Sequence, residues 1–369
     1  LAERMKEAKP TMKIAFVGPH VTVLPEESLK SSSAIDFVVR KEFDYAVAEF
    51  AWGRKLEEIV GVSFRKNGQI FHNADRPLIE DLDTLPFVVE IFKRDLDITK
   101  YNIPFLHHPY ISFYTSRGCP ALCTFCLWPQ TMCSHHWRTR SSDNVVAEVK
   151  RALELFPDVK EIFFDDDTFT IGKSRVLELC QKLKPLRFIW SCNARVTTDF
   201  ETLNGMKEAG CRLLIVGFES GDPTILKNIK KGATVEQVQA FMKNSRRLGF
   251  RVHGDFQIGL PGETRGTIEK TIRFAMEMDP DTIQVSISHP YPGTEFYQYL
   301  KDQGYLISTT MTDDQGHQLP NFEYPGLSRE EIVKAVEDFY GRYYFRPRII
   351  FRIVRRDLFS GDDRRRLYQ

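Results

Sequence analysis

The chain has 369 residues, 42% hydrophobic and 27% charged, and its 51 Lys and Arg balance 50 Asp and Glu to leave a formal charge of +1. A near-neutral chain carries no bulk field for a polyanion, no apolar run approaches the ~20 residues that cross a bilayer, and no secretory signal heads it. Seven cysteines, an odd number in a long chain, point to a reducing cytosol rather than a disulfide framework.

The opening LAERMKEAKP reads as the end of a helix, and residues 1–77 read as an α/β domain whose first part is missing. MKIAFVGPHVT (12–22) predicts a strand running into Gly18-Pro19-His20, PEESLKSS a short helix and AIDFVVR a second strand. VGVSFRKNGQIFHN predicts a hairpin turning at Asn67-Gly68. Pro and charge dominate residues 78–108, which read as a linker laid over a surface. Between 109 and 300 come six strand-like runs: YISFYTS (110–116), VKEIFFDD (159–166), RFIWSCNA (187–194), RLLIVGFE (212–219), RVHGDFQIG (251–259) and DTIQVSISH (281–289). Helical patterns such as DNVVAEVKRALELF and VEQVQAFMKNSRRLG separate them. Six units fall short of the eight of a full barrel. The expected fold is therefore α/β, an open six-unit (β/α) TIM-like barrel behind a partial Rossmann-like domain, with a doubly wound sheet as the alternative. Residues 301–369 form a mixed helical region whose tail from Tyr340 holds nine arginines and three aspartates. That tail predicts a helix packing its aromatic side inward with arginines in water; the alternative is a surface for an anionic or membrane partner.

TSRGCPALCTFCLWPQ (115–130) places Cys119, Cys123 and Cys126 at a C-x3-C-x2-C spacing. Zinc structural sites usually pair two knuckles into a closed tetrahedron, and a 4Fe–4S cubane normally takes four thiolates. Three thiolates leave one iron open to a small molecule. Gly118 and Pro120 would turn the chain around the cluster, and Leu122, Phe125, Leu127 and Trp128 would keep water from it. Cys133 as a fourth ligand, or a zinc site using His135 or His136, are the alternatives.

These cysteines, with Phe125 before the last, resemble the C-x3-C-x-Φ-C signature of the radical S-adenosylmethionine (SAM) superfamily. The resemblance implies a 4Fe–4S cluster on Cys119, Cys123 and Cys126, SAM on the open iron, a 5′-deoxyadenosyl radical, and an electron donor of flavodoxin or ferredoxin type. It implies SAM contacts at successive strand ends: Asp165 and Asp166, beside Asp167, for a cationic group; Arg195 for the carboxylate; Glu219 and Ser220 for ribose hydroxyls or the amino group; and Ile258 and Gly259, in QIGLPGET, for the adenine. The alternatives are a metal-free acidic strand end and, for Arg195, a salt bridge within the barrel. The GPHVT turn and the DLDTLPF linker resemble members with a cobalamin-binding domain, implying a corrin against Gly18, Pro19 and His20, although RKEFDYAVAEF departs from the usual Gly-Glu-Gly-Glu stretch. TSRGCPALCTFCLWPQT resembles the hopanoid-biosynthesis branch most, implying contraction of a glucosamine ring on a hopanoid-linked sugar by a cytoplasmic protein peripheral to the inner membrane. The competing functions are a cobalamin-dependent radical SAM methyltransferase, which would make S-adenosylhomocysteine, and a non-catalytic Fe–S or zinc module. No nucleic-acid partner is expected, because no basic patch borders these motifs.

Overall fold

The structure is a computed structural model and describes residues 1–308, 310–313 and 319–359. The tail beyond residue 359, with several of the arginines noted above, lies outside the described residues. The chain forms two compact units: Leu1–Asp81, Gly118–Arg138 and Pro290–Gly304 in one, and Leu82–Arg117, Thr139–His289 and the chain from Tyr305 in the other.

The first unit carries helix α1 (Ala2–Ala8) and a sheet ordered β1 (Ala15–Val17), β2 (Phe37–Val39), β3 (Val62–Lys66), β4 (Gln69–His72). Helices α2 (Pro19–Val23) and α3 (Pro25–Ser31) connect the parallel pair β1 and β2, as a crossover must; α4 (Asp44–Ala51) follows β2. The pleat sorts the core: Phe37 and Val39 pack with Ala46, Ile59 and Val62 on one face, Val38 with Val21, Leu29 and Ile35 on the other. The antiparallel β3–β4 hairpin turns at Asn67 (φ 50°) and Gly68 (φ 79°), the two positive angles of a tight hairpin turn.

The cysteine segment belongs to this unit. Its last residue, Arg138, makes a two-pronged ion pair with Glu42 at 2.9 and 3.0 Å, both side chains under 5% exposed. Arg138 also donates to the Ile79 carbonyl at 2.6 Å, and the Ile79 amide donates to Glu42 at 2.7 Å. The pair thus fixes the end of the cysteine segment to the loop after β2 and to residue 79.

The second unit is built on six strands: β5 (Tyr110–Phe113), β8 (Glu161–Phe164), β9 (Trp190–Ala194), β10 (Cys211–Glu219), β11 (Arg251–Ile258) and β12 (Thr282–Ile287); short strands β6 (Ser116–Arg117) and β7 (Arg138–Thr139) flank the cysteine segment. The six are parallel and neighbour each other in chain order. The crossovers are α6 (Ser142–Leu155), α7 (Lys173–Leu183), α8 (Phe200–Glu208), α9 (Pro223–Asn228) with α10 (Val235–Arg247), and α11 (Arg265–Met278). A doubly wound sheet would reverse its strand order at a switch point; this one never reverses, which is the winding of an open six-unit barrel. α12 (Glu295–Asp302) follows β12 and lies in the first unit.

Two expectations change. The stretch read as a bare linker carries α5 (Val88–Asp95), which packs on α6 with Val89 buried and its amide donating to Glu148 at 3.3 Å. In the C-terminal region α13 (Arg329–Tyr344) packs as expected, but Arg342, Arg346 and Arg352 are tied to acids rather than solvated, while Arg348 and Arg355 stay exposed. Arg342 grips Glu269, while Arg346, Arg348 and Arg352, on or just before α14 (Pro347–Phe359), converge on the buried Asp279 at 3.0, 3.3 and 2.8 Å. α13 also closes the sheet edge. The Tyr344 and Tyr340 hydroxyls accept from the amides of Ile283 and Val285 on β12 and donate to their carbonyls, giving an edge strand the partners it would otherwise seek elsewhere. No helix among the described residues is long and apolar enough to cross a membrane.

Replacing Glu42 by Ala leaves the Arg138 guanidinium buried without its counter-charge, and urea denaturation is expected to show a loss of about 3–5 kcal/mol. The double variant Glu42→Leu with Arg138→Met, which removes both charges, should recover most of it.

Candidate functional site

The cysteine loop is shaped from inside its own unit. Gly118 sits at φ 85°, and a Cβ there would run into the His136 carbonyl, so only glycine admits the turn. Cys119 and Cys123 are buried and Cys126 half-buried. The Gln130 amide nitrogen donates to the carbonyls of Cys123, Thr124 and Cys126 at 3.2, 3.1 and 2.7 Å. Its oxygen accepts from the Glu295 amide at 2.8 Å, and the Phe296 amide donates to the Thr124 carbonyl at 3.0 Å. The loop carbonyls are thus drawn onto one side chain and onto the start of α12. His135 Nδ1 lies 3.1 Å from the Cys119 carbonyl.

Of the four apolar side chains expected to exclude water, Leu122 and Trp128 are exposed and only Phe125 and Leu127 are half-buried. Cys133 lies on a π-helical turn, Pro129–Cys133, and its carbonyl accepts from Arg138. Among the described residues no three His, Cys, Asp or Glu side chains converge as a single ion would require. A cubane places each thiolate on a separate iron, so its ligands surround a body rather than a point. A loop with three thiols, whose carbonyls at Cys123 and Cys126 are held by Gln130, fits that demand.

In the second unit the strand ends divide into two kinds. Asp166 is fully buried and saturated: it accepts from the Thr115 amide and hydroxyl, both at 2.7 Å, and from the Ser116 amide and hydroxyl at 2.5 and 3.0 Å. Burial raises its pKa while these donors and the nearby Arg175 oppose the rise. It is an anchor for the residues that lead into Gly118, rather than an open ligand. Ser220 is buried with its hydroxyl on Thr271 at 2.9 Å. Ile258 is wholly buried. Gly259, at φ 93°, gives its amide to Glu263 at 2.5 Å and its carbonyl to the Tyr324 hydroxyl at 3.0 Å, and a Cβ there would meet the Phe322 ring at 2.8 Å. Glu263, enclosed and raised by burial to about 8, holds this turn. The closeness that requires glycine at 259 is therefore internal.

Asp165 and Arg195 are half-buried, and Glu219, though buried, borders a cavity. Asp165 is raised to about 6, by burial first and by the neighbouring carboxylates of Asp166 and Asp167. Glu219 sits at φ 64°, where the β10–β11 register slips, a bulge that re-aims its side chain. Its carboxylate meets Lys231 at 2.7 Å and Gln257 at 3.0 Å, and it lies so close over Gly217 that a Cβ there would clash. Arg195 donates to the Lys231 carbonyl at 2.9 Å, bringing residues 195, 219, 231 and 257 into one network. Lys231 and Gln130 are the two residues the sequence reading missed; neither stands in a spacing that marks it. His20 is half exposed, 3.9 Å from Glu27, and a Cβ at Gly18 would meet nothing within 4 Å, so Gly18, Pro19 and His20 form an open turn. Among the remaining thiols, burial pushes Cys180 up to about 12 and Cys192 well above its ordinary value, which makes them inert packing groups.

The family model for the Radical SAM superfamily matches residues 113–275. The chain is 34% identical over 366 residues to an uncharacterized methyltransferase of Pyrococcus horikoshii, covering 96% of this chain and 77% of that one. It is 25% identical to the anaerobic magnesium-protoporphyrin IX monomethyl ester cyclase of Cereibacter sphaeroides, covering 92% of this chain but 56% of the cyclase. Among solved structures, the radical SAM methyltransferase TsrM from Kitasatospora setae shares the fold at a TM-score of 0.70 and 16% identity, over 94% of this chain and 74% of that one; it was solved with cobalamin and a [4Fe-4S] cluster.

Asp165 gives a signed pH test. Its folded value of about 6 lies above the ~3.9 of an unfolded Asp, so its stabilising contribution is complete below pH ~4 and is lost as pH rises through 6. Asp165→Asn is expected to melt at higher temperature than the parent at pH 8, with the advantage shrinking below pH 6 and gone near pH 4.

Proposed function

Since the chain belongs to the Radical SAM superfamily, we propose that it is a radical SAM methyltransferase, with the superfamily's 4Fe–4S cluster on Cys119, Cys123 and Cys126. The observation that carries this reading is the identity of 34% across nearly the whole chain with a methyltransferase. The contraction of a hopanoid-linked sugar, and with it a membrane-surface location, gives way to methyl transfer as the better-supported alternative. When bound, the cluster supplies the electron and SAM the sulfonium carbon.

This chain's own residues would then do the following. Gln130, itself held by the Glu295 amide, fixes the carbonyls of Cys123, Thr124 and Cys126 and so the shape of the loop. Asp165, ionised above pH 6, offers negative charge at a strand end to a cationic group, as the SAM ammonium is. Arg195 and Lys231 hold Glu219 in its aimed position. Leu122 and Trp128, each exposed on the cysteine loop, are offered as apolar contacts for a flavodoxin- or ferredoxin-type electron donor. Cobalamin enters the reading from the neighbour that holds it. Gly18, Pro19 and His20, an open turn with nothing packed within 4 Å of a Gly18 Cβ, are the residues this reading offers to a corrin.

The test uses anaerobically reconstituted protein, methyl-deuterated SAM, a reductant and a small-molecule extract of the source organism. S-adenosylhomocysteine together with a deuteromethylated product, both absent with Cys123→Ala, is the expected result. 5′-Deoxyadenosine without S-adenosylhomocysteine would overturn methyl transfer and favour a rearrangement or a cyclase-type oxidation.

A further inference from the structure

The inside of a β/α barrel is ordinarily filled by Val, Ile and Leu in layers. Here the two strands at one end of the sheet break that rule. The alternating row of β11 reads His253, Asp255, Gln257, and the register pairs these residues with Thr282, Gln284 and Ser286 of β12. On the other side Ile215 and Gly217 of β10 pair with His253 and Asp255. All of these but Thr282, together with Phe105 and Glu219, line a half-open cavity of about 280 Å³, near the lower end of the ~300–1,000 Å³ usual for ligand pockets. Its floor is apolar and braced. Phe105 lies against the His253 ring, centroids 4.3 Å apart, next to a cluster of Leu106, Phe163, Leu213 and Ile215. Glu161 holds that floor by accepting from the His107 amide at 2.7 Å and from Arg212 at 2.7 and 2.9 Å.

The charges in the cavity do not cancel. Glu219 is matched by Lys231. Among the described residues Asp255 has only the His253 ring as an ionic partner, whose Nε2 stands 3.3 Å from Oδ1. That nitrogen is buried and makes no hydrogen bond among the described residues, while Nδ1 is taken by the Thr282 hydroxyl at 2.7 Å. Gln284 and Ser286 turn to each other at 3.4 Å, a weak bond at best. The Asp255 side chain is 36% exposed, so its carboxylate has an open approach.

Resting on the methyl-transfer reading, we propose that this cavity is the acceptor site, and that the acceptor is a small molecule pairing a protonated amine with an apolar or aromatic body. The amine sits on the Asp255 carboxylate, between His253 and Gln284, and the body lies over Phe105. A carboxylate-bearing acceptor is disfavoured, since Asp255 and Glu219 both face the space it would fill.

Three probes of one shape test this on the reconstituted holoenzyme: phenethylamine, 2-phenylethanol and 3-phenylpropionate, titrated by calorimetry and by ligand-observed NMR. Phenethylamine should bind at least about tenfold more tightly than the alcohol, as a charge-assisted hydrogen bond requires, with the carboxylate weakest. Asp255→Asn should erase the preference for the amine while SAM binding is unchanged. Gln284→Glu, which adds a carboxylate opposite Asp255, should strengthen it. Equal binding of the three probes, stronger binding of the carboxylate, or no saturable binding of the amine would overturn the proposal. S-adenosylhomocysteine formation, followed in parallel, separates the two readings. Its persistence without amine binding removes only this acceptor class. Amine binding that depends on Asp255, with no SAM turnover, keeps the site and removes methyl transfer.

Discussion

A buried carboxylate stands at each end of the cysteine segment, and the rest of the chemistry depends on those two groups. Asp166 gathers the amides and hydroxyls of Thr115 and Ser116, directly before Gly118. Glu42 grips Arg138, where the segment ends. Charge-assisted bonds in a dry interior are strong when complete and costly when broken. Entry and exit are therefore set by groups that cannot relax without exposing a charge to the core. Between them the loop needs little regular structure of its own. Gln130, with one amide against three carbonyls, and a glycine that nothing larger can replace complete its shape.

The barrel side follows a different logic. Several strand ends spend their polar groups on structure, as Asp166, Ser220 and the Gly259 turn show. Along their length, β11 and β12 leave polar groups facing open space, as the β11 row shows. Glu219 stands at the join, held off its regular strand position by a bulge and steadied by Lys231. Non-glycine residues at positive φ persist only where surroundings over-determine them, and here the ion pair and Gln257 do so.

The six strands and most of their helices were legible because alternation and 3.6-residue periodicity are local signals. α5 was not: it is short, follows Pro86, leaves Val88 and Ile91 exposed, and is secured by Glu148 from a distant helix. The cysteine triplet was legible as a spacing. The division of strand-end residues into anchors and open groups was not, because it is decided by partners far along the chain: Thr271 for Ser220, Phe322 and Tyr324 for Gly259, Thr115 for Asp166. Arg346 and Arg352 were read as solvated because a count of charges cannot show that Asp279 waits at the end of α11. The polar row of β11 stood in plain view in RVHGDFQIG, yet a strand reading alone does not say which face looks inward.

The support of the cysteine loop by Pro290–Gly304 bears on the order of biosynthesis. Gly293 lies against Val23 and Thr131, and the backbone of residues 295 and 296 binds Gln130 and Thr124. A ribosome delivers the three thiols long before it delivers those contacts. The nascent loop thus emerges with its cysteines in place and its scaffold incomplete, open to oxidation or to stray metal. Cluster insertion into the finished geometry belongs to the time after residue 304 has left the exit tunnel.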